Sequence, residues 1–135
     1  MQTRSLLLAV IMLFVSASLH AGIVVQVHGF LGSPQSWDNS LINQHLSSKG
    51  WQRGGDIFIN QQGVMLGQTR QPPTKNIIYP VALPSKAPLM LQAQWLKRML
   101  VDLEKKHPLE KITLIGHSAG GVVARLALVK FGAGH

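Results

Sequence analysis

Residues Ile112 to Leu128 read ITLIGHSAGGVVARLAL. The β-branched and aliphatic run Ile112 to Ile115 is short and uninterrupted, which predicts a strand buried on both faces. Ala119 to Phe131 is apolar and rich in Ala, and Gly132 follows as a terminator, which predicts a helix. Between them stand Gly116, His117, Ser118, Ala119 and Gly120, a G-x-S-x-G spacing directly between a strand and a helix. Reversing the chain in so few residues forces Ser118 to positive φ, a strained conformation for a residue bearing a side chain. Side chains at 116 and 120 would collide across so tight a turn, and glycine removes them. The turn should lift the Ser118 hydroxyl from the carboxyl edge of a sheet. Backbone amides at the start of the next helix, Ala119 first among them, then face the place where an oxyanion would form.

Working back along the chain, Gly22 to Val27 (GIVVQV) is a second buried-strand pattern that stops at His28-Gly29. The loop His28-Gly29-Phe30-Leu31-Gly32 follows the end of that strand. Gly29 lets the backbone approach closely, so the Phe30 amide is the candidate second oxyanion donor. Ser36 to Lys49 places Trp37, Leu41, Ile42, His45 and Leu46 at helical spacing, ahead of Gly50. Trp51 to Lys75 is rich in Gly, Gln and Pro and predicts an excursion or small hairpin outside the core. Ile77 to Val81 is a further strand, in which Pro80 costs a ladder hydrogen bond. Leu89, Ala93, Leu96, Met99, Leu100 and Leu103 recur at three- and four-residue steps, with Gln92, Gln94, Lys97, Arg98, Asp102 and Lys105 opposite, and the helix should end before His107-Pro108. Strand and helix thus alternate three times. Such an order predicts an α/β fold with a three-stranded parallel sheet between two helical layers.

The strand followed by HGFLGS, the later LPSKAP before a long helix, and ITLIGHSAGGVVARLAL together resemble the amino-terminal half of an α/β-hydrolase. Within that superfamily the pattern is most similar to bacterial lipases and esterases, including the group related to inositol deacylases. The resemblance covers residues 22 to 132. It implies a three-layer α/β/α domain and a serine carboxylic-ester hydrolase that works through an acyl-enzyme. It implies Ser118 as nucleophile and the amides of Ala119 and Phe30 as oxyanion donors, with His28, Gly29, Gly116, His117 and Gly120 supporting them. It also implies an ester or lipid substrate, no metal and no organic cofactor. Two other readings use the same residues: a noncatalytic fragment that binds lipid or a partner, and an acyltransferase on the same fold.

A serine nucleophile needs a general base and a carboxylate to orient it, and in this fold both follow the serine. The seventeen residues after Ser118 contain no Asp or Glu, and their one imidazole is the terminal His135. His117 adjoins the serine, but neighbouring side chains diverge at such a turn, and it reads as a buried turn residue with a satisfied hydrogen bond. His28 reads as the residue that holds its loop by a hydrogen bond. His45 is an ordinary helix position and His107 a helix end. Asp102 falls on a wet helical face, while Asp38 and Asp56 read as loop or helix-start residues suited to capping. Residues 22–135 are therefore expected to form a truncated hydrolase domain, whose exposed sheet edges favour self-association.

Thirteen Lys and Arg against five Asp and Glu give a net charge of +8 over 135 residues, but the basic residues are scattered and form no run. No nucleic-acid motif is present, so no nucleic-acid partner is expected. The absence of Cys excludes disulfides, thiolate metal sites and a cysteine nucleophile. Residues 1–21 have the layout of a secretory signal: Arg4, then unbroken hydrocarbon from Leu6 to Val15, then small residues, with cleavage after Ser18 or Ala21. Export to a periplasm or the medium is the expectation, with peripheral contact at a lipid interface.

Overall fold

The computed structural model describes residues 22–133. The proposed signal segment lies outside the described residues. Six strands and four helices follow one another: β1 (Gly22–Val27), α1 (Pro34–Asp38), α2 (Leu41–Ser48), β2 (Gln52–Arg53), β3 (Ile57–Asn60), β4 (Gly63–Leu66), β5 (Ile77–Val81), α3 (Leu89–Lys106), β6 (Lys111–Gly116) and α4 (Ala119–Val129).

The strands form one sheet in the order β4-β3-β5-β1-β6, with β2 also on β5. Next to the edge strand β6, β1 runs parallel to both neighbours, Val25 opposite Tyr79 of β5 on one side and Leu114 of β6 on the other. Side chains alternate between faces along a strand, and the two faces of β1 have different partners. Ile23, Val25 and Val27 join Ile77, Tyr79 and Val81 under Ala93, Leu96, Met99 and Leu100 of α3 and Val123 and Ala127 of α4. The opposite face carries Gln26, wholly buried in an otherwise apolar strand. Its side-chain amide exchanges two hydrogen bonds with that of Asn43 on α2, which fastens the second helical layer to the sheet. The flanking helices and central sheet are those the alternation predicts.

Four expectations require correction. The strand over Ile112 to Ile115 is not buried on both faces: β6 stands at the edge of the sheet and none of its residues is fully buried. The helix expected over residues 36 to 49 is two helices, because Ser40 leaves helical geometry and its hydroxyl accepts from the Asn43 amide to cap α2. The sheet is not limited to three parallel strands. The 51 to 75 stretch adds β2 and an antiparallel hairpin, β3 with β4, and Ile57 pairs with Val81 to continue the sheet beyond β5. Gln92 is buried on α3 instead of wet, because its side-chain amide reaches back to the Ala87 carbonyl at 2.9 Å. No helix among the described residues is long and apolar enough to cross a membrane.

At the opposite end of α3, the Tyr79 hydroxyl and His107 Nε2 share a hydrogen bond at 2.8 Å. Burial holds the His107 pKa below its ordinary 6.5, with Lys106 acting in the same direction and Glu110 against it. The unfolded chain therefore takes this proton more readily than the folded one. Two outcomes follow from these contacts. Asn43→Leu leaves the buried Gln26 amide without its partner and should cost about 1–3 kcal/mol in urea unfolding. Folding stability should be full above pH 6.5 as far as His107 contributes, and should decline as pH falls below it. Melts of His107→Gln should show a smaller decline between about pH 7 and 5 than the unaltered chain.

Candidate active site

Ser118 has φ 54° and ψ −125°, the positive φ that the sequence pattern requires. It occupies the N-cap position of α4, where a serine normally accepts from the first helical amides. Here its side chain makes no capping hydrogen bond and is exposed, so the hydroxyl is left for other work. Three close approaches keep the turn in place. The His117 amide donates to the Val27 carbonyl at 3.1 Å, joining the turn to the end of β1. A Cβ on Gly120 would stand 2.2 Å from that same carbonyl oxygen. A Cβ on Gly116 would stand 2.6 Å from the Gly121 backbone. The two glycines thus clear the backbone of β1 and of the first turn of α4, and they also approach each other, since a Cβ on Gly116 would stand 2.8 Å from the Gly120 carbonyl carbon.

The loop after β1 is pressed equally close. A Cβ on Gly29 would lie 2.9 Å from the His117 carbonyl oxygen and 3.2 Å from Ser118 Cβ. Gly29, the residue before Phe30, is thus packed against Ser118, and Phe30 and Ser118 line the same cleft. Among the described residues, neither the Phe30 nor the Ala119 amide has an acceptor. Ala119 is the first residue of α4, whose amide has no intrahelical partner. The Ser118 hydroxyl and the Ala119 and Phe30 N–H groups are thus without partners among the described residues, around a cleft that Phe30 and Ser118 both line.

His28 behaves as the sequence indicated. Its ring is buried, Nε2 accepts from the Leu83 amide at 3.0 Å, and Nδ1 donates to the Gly29 carbonyl at 3.0 Å. With Nε2 accepting, Nδ1 must carry the proton, and both nitrogens are used in joining the loop after β1 to the loop after β5. His117 does not behave as expected. It is exposed, its ring has no hydrogen bond among the described residues, and it stands edge-on to Trp37 with centroids 6.4 Å apart. The turn directs the ring outward because its own amide and carbonyl are committed to Val27 and Gly120.

The acidic residues are far from this group or already engaged. Asp38 and Asp56 do not cap helices: Arg53 Nη2 meets Asp38 at 2.8 Å and Asp56 at 2.6 Å, and Arg53 Nε also donates to Asp38 at 2.9 Å. The hydrogen bond to Arg53 holds the Asp38 carboxyl below its ordinary range, with burial opposing. His45 lies exposed on α2.

Ser118 opens into a cleft of about 360 Å³ whose lining carries no charged side chain. Phe30, Leu31, Trp37 and Ile42 supply its apolar surface. Trp37 was legible as apolar but not as a cleft wall, since helical spacing alone gives burial and not what lies beyond it. Its indole N–H is buried without an acceptor among the described residues. Leu31, at φ 60°, was not foreseen either, because no glycine marks the position.

No curated protein matches the chain. Among solved structures, the crystal structure of the lin2722 gene products from Listeria innocua is similar at a TM-score of 0.63 and 20% identity. The alignment covers 80% of this chain and 43% of the Listeria chain, so this sequence spans less than half of that protein's length. A likeness at such identity shows the fold. Residues 20–132 match the family described as alpha/beta hydrolase of unknown function (DUF915), and the chain belongs to that family.

Proposed function

We propose that the chain carries the nucleophile and oxyanion donors of a serine carboxylic-ester hydrolase. The observation that supports this most directly is Ser118 itself: a non-glycine residue at positive φ, uncapped, beside two unengaged amides. Strain of this kind costs about 1–3 kcal/mol and persists only where the surroundings over-determine it. In the proposed reaction Ser118 Oγ attacks the ester carbonyl carbon while its proton passes to a general base. The alkoxide oxygen formed from the carbonyl takes N–H bonds from Ala119 and Phe30. Collapse expels the alcohol, which receives the proton, and water then releases the acid from the acyl-serine.

The base is assigned to polypeptide outside the described residues. His28 has both nitrogens engaged, and no described carboxylate is placed to orient His117. The uncharged cleft is suited to the hydrocarbon of an ester, and the reading includes export to a periplasm or the medium. An acyltransferase would use the same atoms and differ only in replacing water by another acceptor.

A fluorophosphonate probe reacts with an exposed serine that a general base activates and oxyanion donors support. Mass spectrometry should place the adduct on Ser118, and Ser118→Ala should remove it. Absence of any adduct, together with no hydrolysis of short p-nitrophenyl esters, would sink the acyl-transfer reading. Stability should move the other way in Ser118→Gly: glycine adopts the turn without strain, so melting should shift upward by the equivalent of about 1 kcal/mol or more. An unchanged or lowered melting temperature would show that the turn stores no strain.

A further inference from the structure

Twelve large apolar side chains are exposed among the described residues, and seven of them lie in the segments that leave the carboxyl ends of β1 and β5. Phe30 and Leu31 in the loop after β1 are 66% and 64% exposed, and Leu41, with Ile42 beside it at the start of α2, is 79% exposed. Leu89, Met90 and Leu91 begin α3. The Leu83 amide on His28 holds the α3 approach against the loop that carries Phe30. These side chains therefore share the end of the molecule at which the Ser118 cleft opens.

The distribution of charge is equally one-sided. Asp38 and Asp56 are engaged by Arg53. Asp102, Glu104 and Glu110 lie on the last turns of α3 and the connection beyond, which leads back to the amino end of the parallel sheet. Those are all five acidic residues of the chain. Segments 28–33, 39–42 and 82–91 contain a single charged residue, the exposed Lys86. An apolar rim of this extent, with no carboxylate to repel phosphate and one ammonium to meet it, matches a phospholipid surface better than a polar protein face.

We propose that this end of the molecule docks on the surface of a phospholipid bilayer bearing anionic headgroups, with Phe30, Leu31, Leu41 and the start of α3 entering the acyl boundary. The cleft then faces the membrane and receives ester lipid from it. This last step rests on the Ser118 reading above, whereas the docking does not.

The test is sedimentation of the full chain with vesicles of phosphatidylcholine and phosphatidylglycerol, compared with phosphatidylcholine alone. Two double variants are compared: Leu41→Gln with Met90→Gln at the rim, and Leu109→Gln with Val129→Gln away from it. The unaltered chain should sediment with the anionic vesicles, the rim variant should lose at least about tenfold in partitioning, and the distant variant should match the unaltered chain. No sedimentation, or equal behaviour of the two variants, would overturn the proposal. So would a dimer, in vesicle-free solution, that the rim variant abolishes, since a second copy would then be what covers the rim. Fluorophosphonate labelling in the same samples separates the two readings: a Ser118 adduct without vesicle binding removes the docking alone, and vesicle binding without an adduct removes acyl transfer alone.

Discussion

The closest approach at the site is between the first turn of α4 and the end of β1. Gly120 lies so near the Val27 carbonyl that no side chain fits between them, and the same carbonyl accepts the His117 amide. Helix and strand are thereby held at a separation that only a sharply reversed connection can span. Ser118 is the residue in that connection, and its positive φ is the consequence. The strain is held by the packing of α4 and α3 on the apolar face of β1, where Val123 and Ala127 meet Val25 and Val27. Core burial on one face of the sheet therefore supports an unfavourable backbone conformation at its edge.

The second helical layer serves a different end. Gln26 is a wholly buried polar residue of the sheet, and its reciprocal pair with Asn43 fixes where α2 sits. The position of α2 sets where Ile42 stands, and the Ser40 hydroxyl donates to the Trp37 carbonyl to tie α1 to its start, so the buried amide pair helps set the shape of an apolar wall. Arg53 does similar work lower down, linking the end of α1 to the strand that edges β5 through Asp38. The wall is apolar, but the contacts that place it are polar and directional.

Much of this was legible in the sequence, for physical reasons that differ by element. The bounds of β1 and β5 were clear because buried parallel strands are unbroken runs of branched apolar residues. The turn at Ser118 was clear because its two glycines leave few backbone paths. The hairpin was not clear, since Ile57 to Ile59 and Val64 to Leu66 are too short to distinguish an added pair of strands from a loop. The break between α1 and α2 was hidden because Trp37 and Leu41 keep a helical interval across it. Gln92 was misplaced because a pattern of polar and apolar letters does not show that a long amide can turn inward to a carbonyl. His117 reads as buried because Ile112 to Ile115 reads as a strand buried on both faces, whereas β6 is the sheet's edge and the turn after it is exposed.

The bridge made by His28 has a mechanical meaning. One ring accepts from the loop that follows β5 and donates within the loop that follows β1, so the two connections are clamped at a single point deep beneath the surface. Neither can swing without the other, and both carry apolar side chains at their outer ends. The mouth of the cleft is then framed by two connections fastened through one imidazole, so the start of α3 and the Phe30 loop share a single anchor.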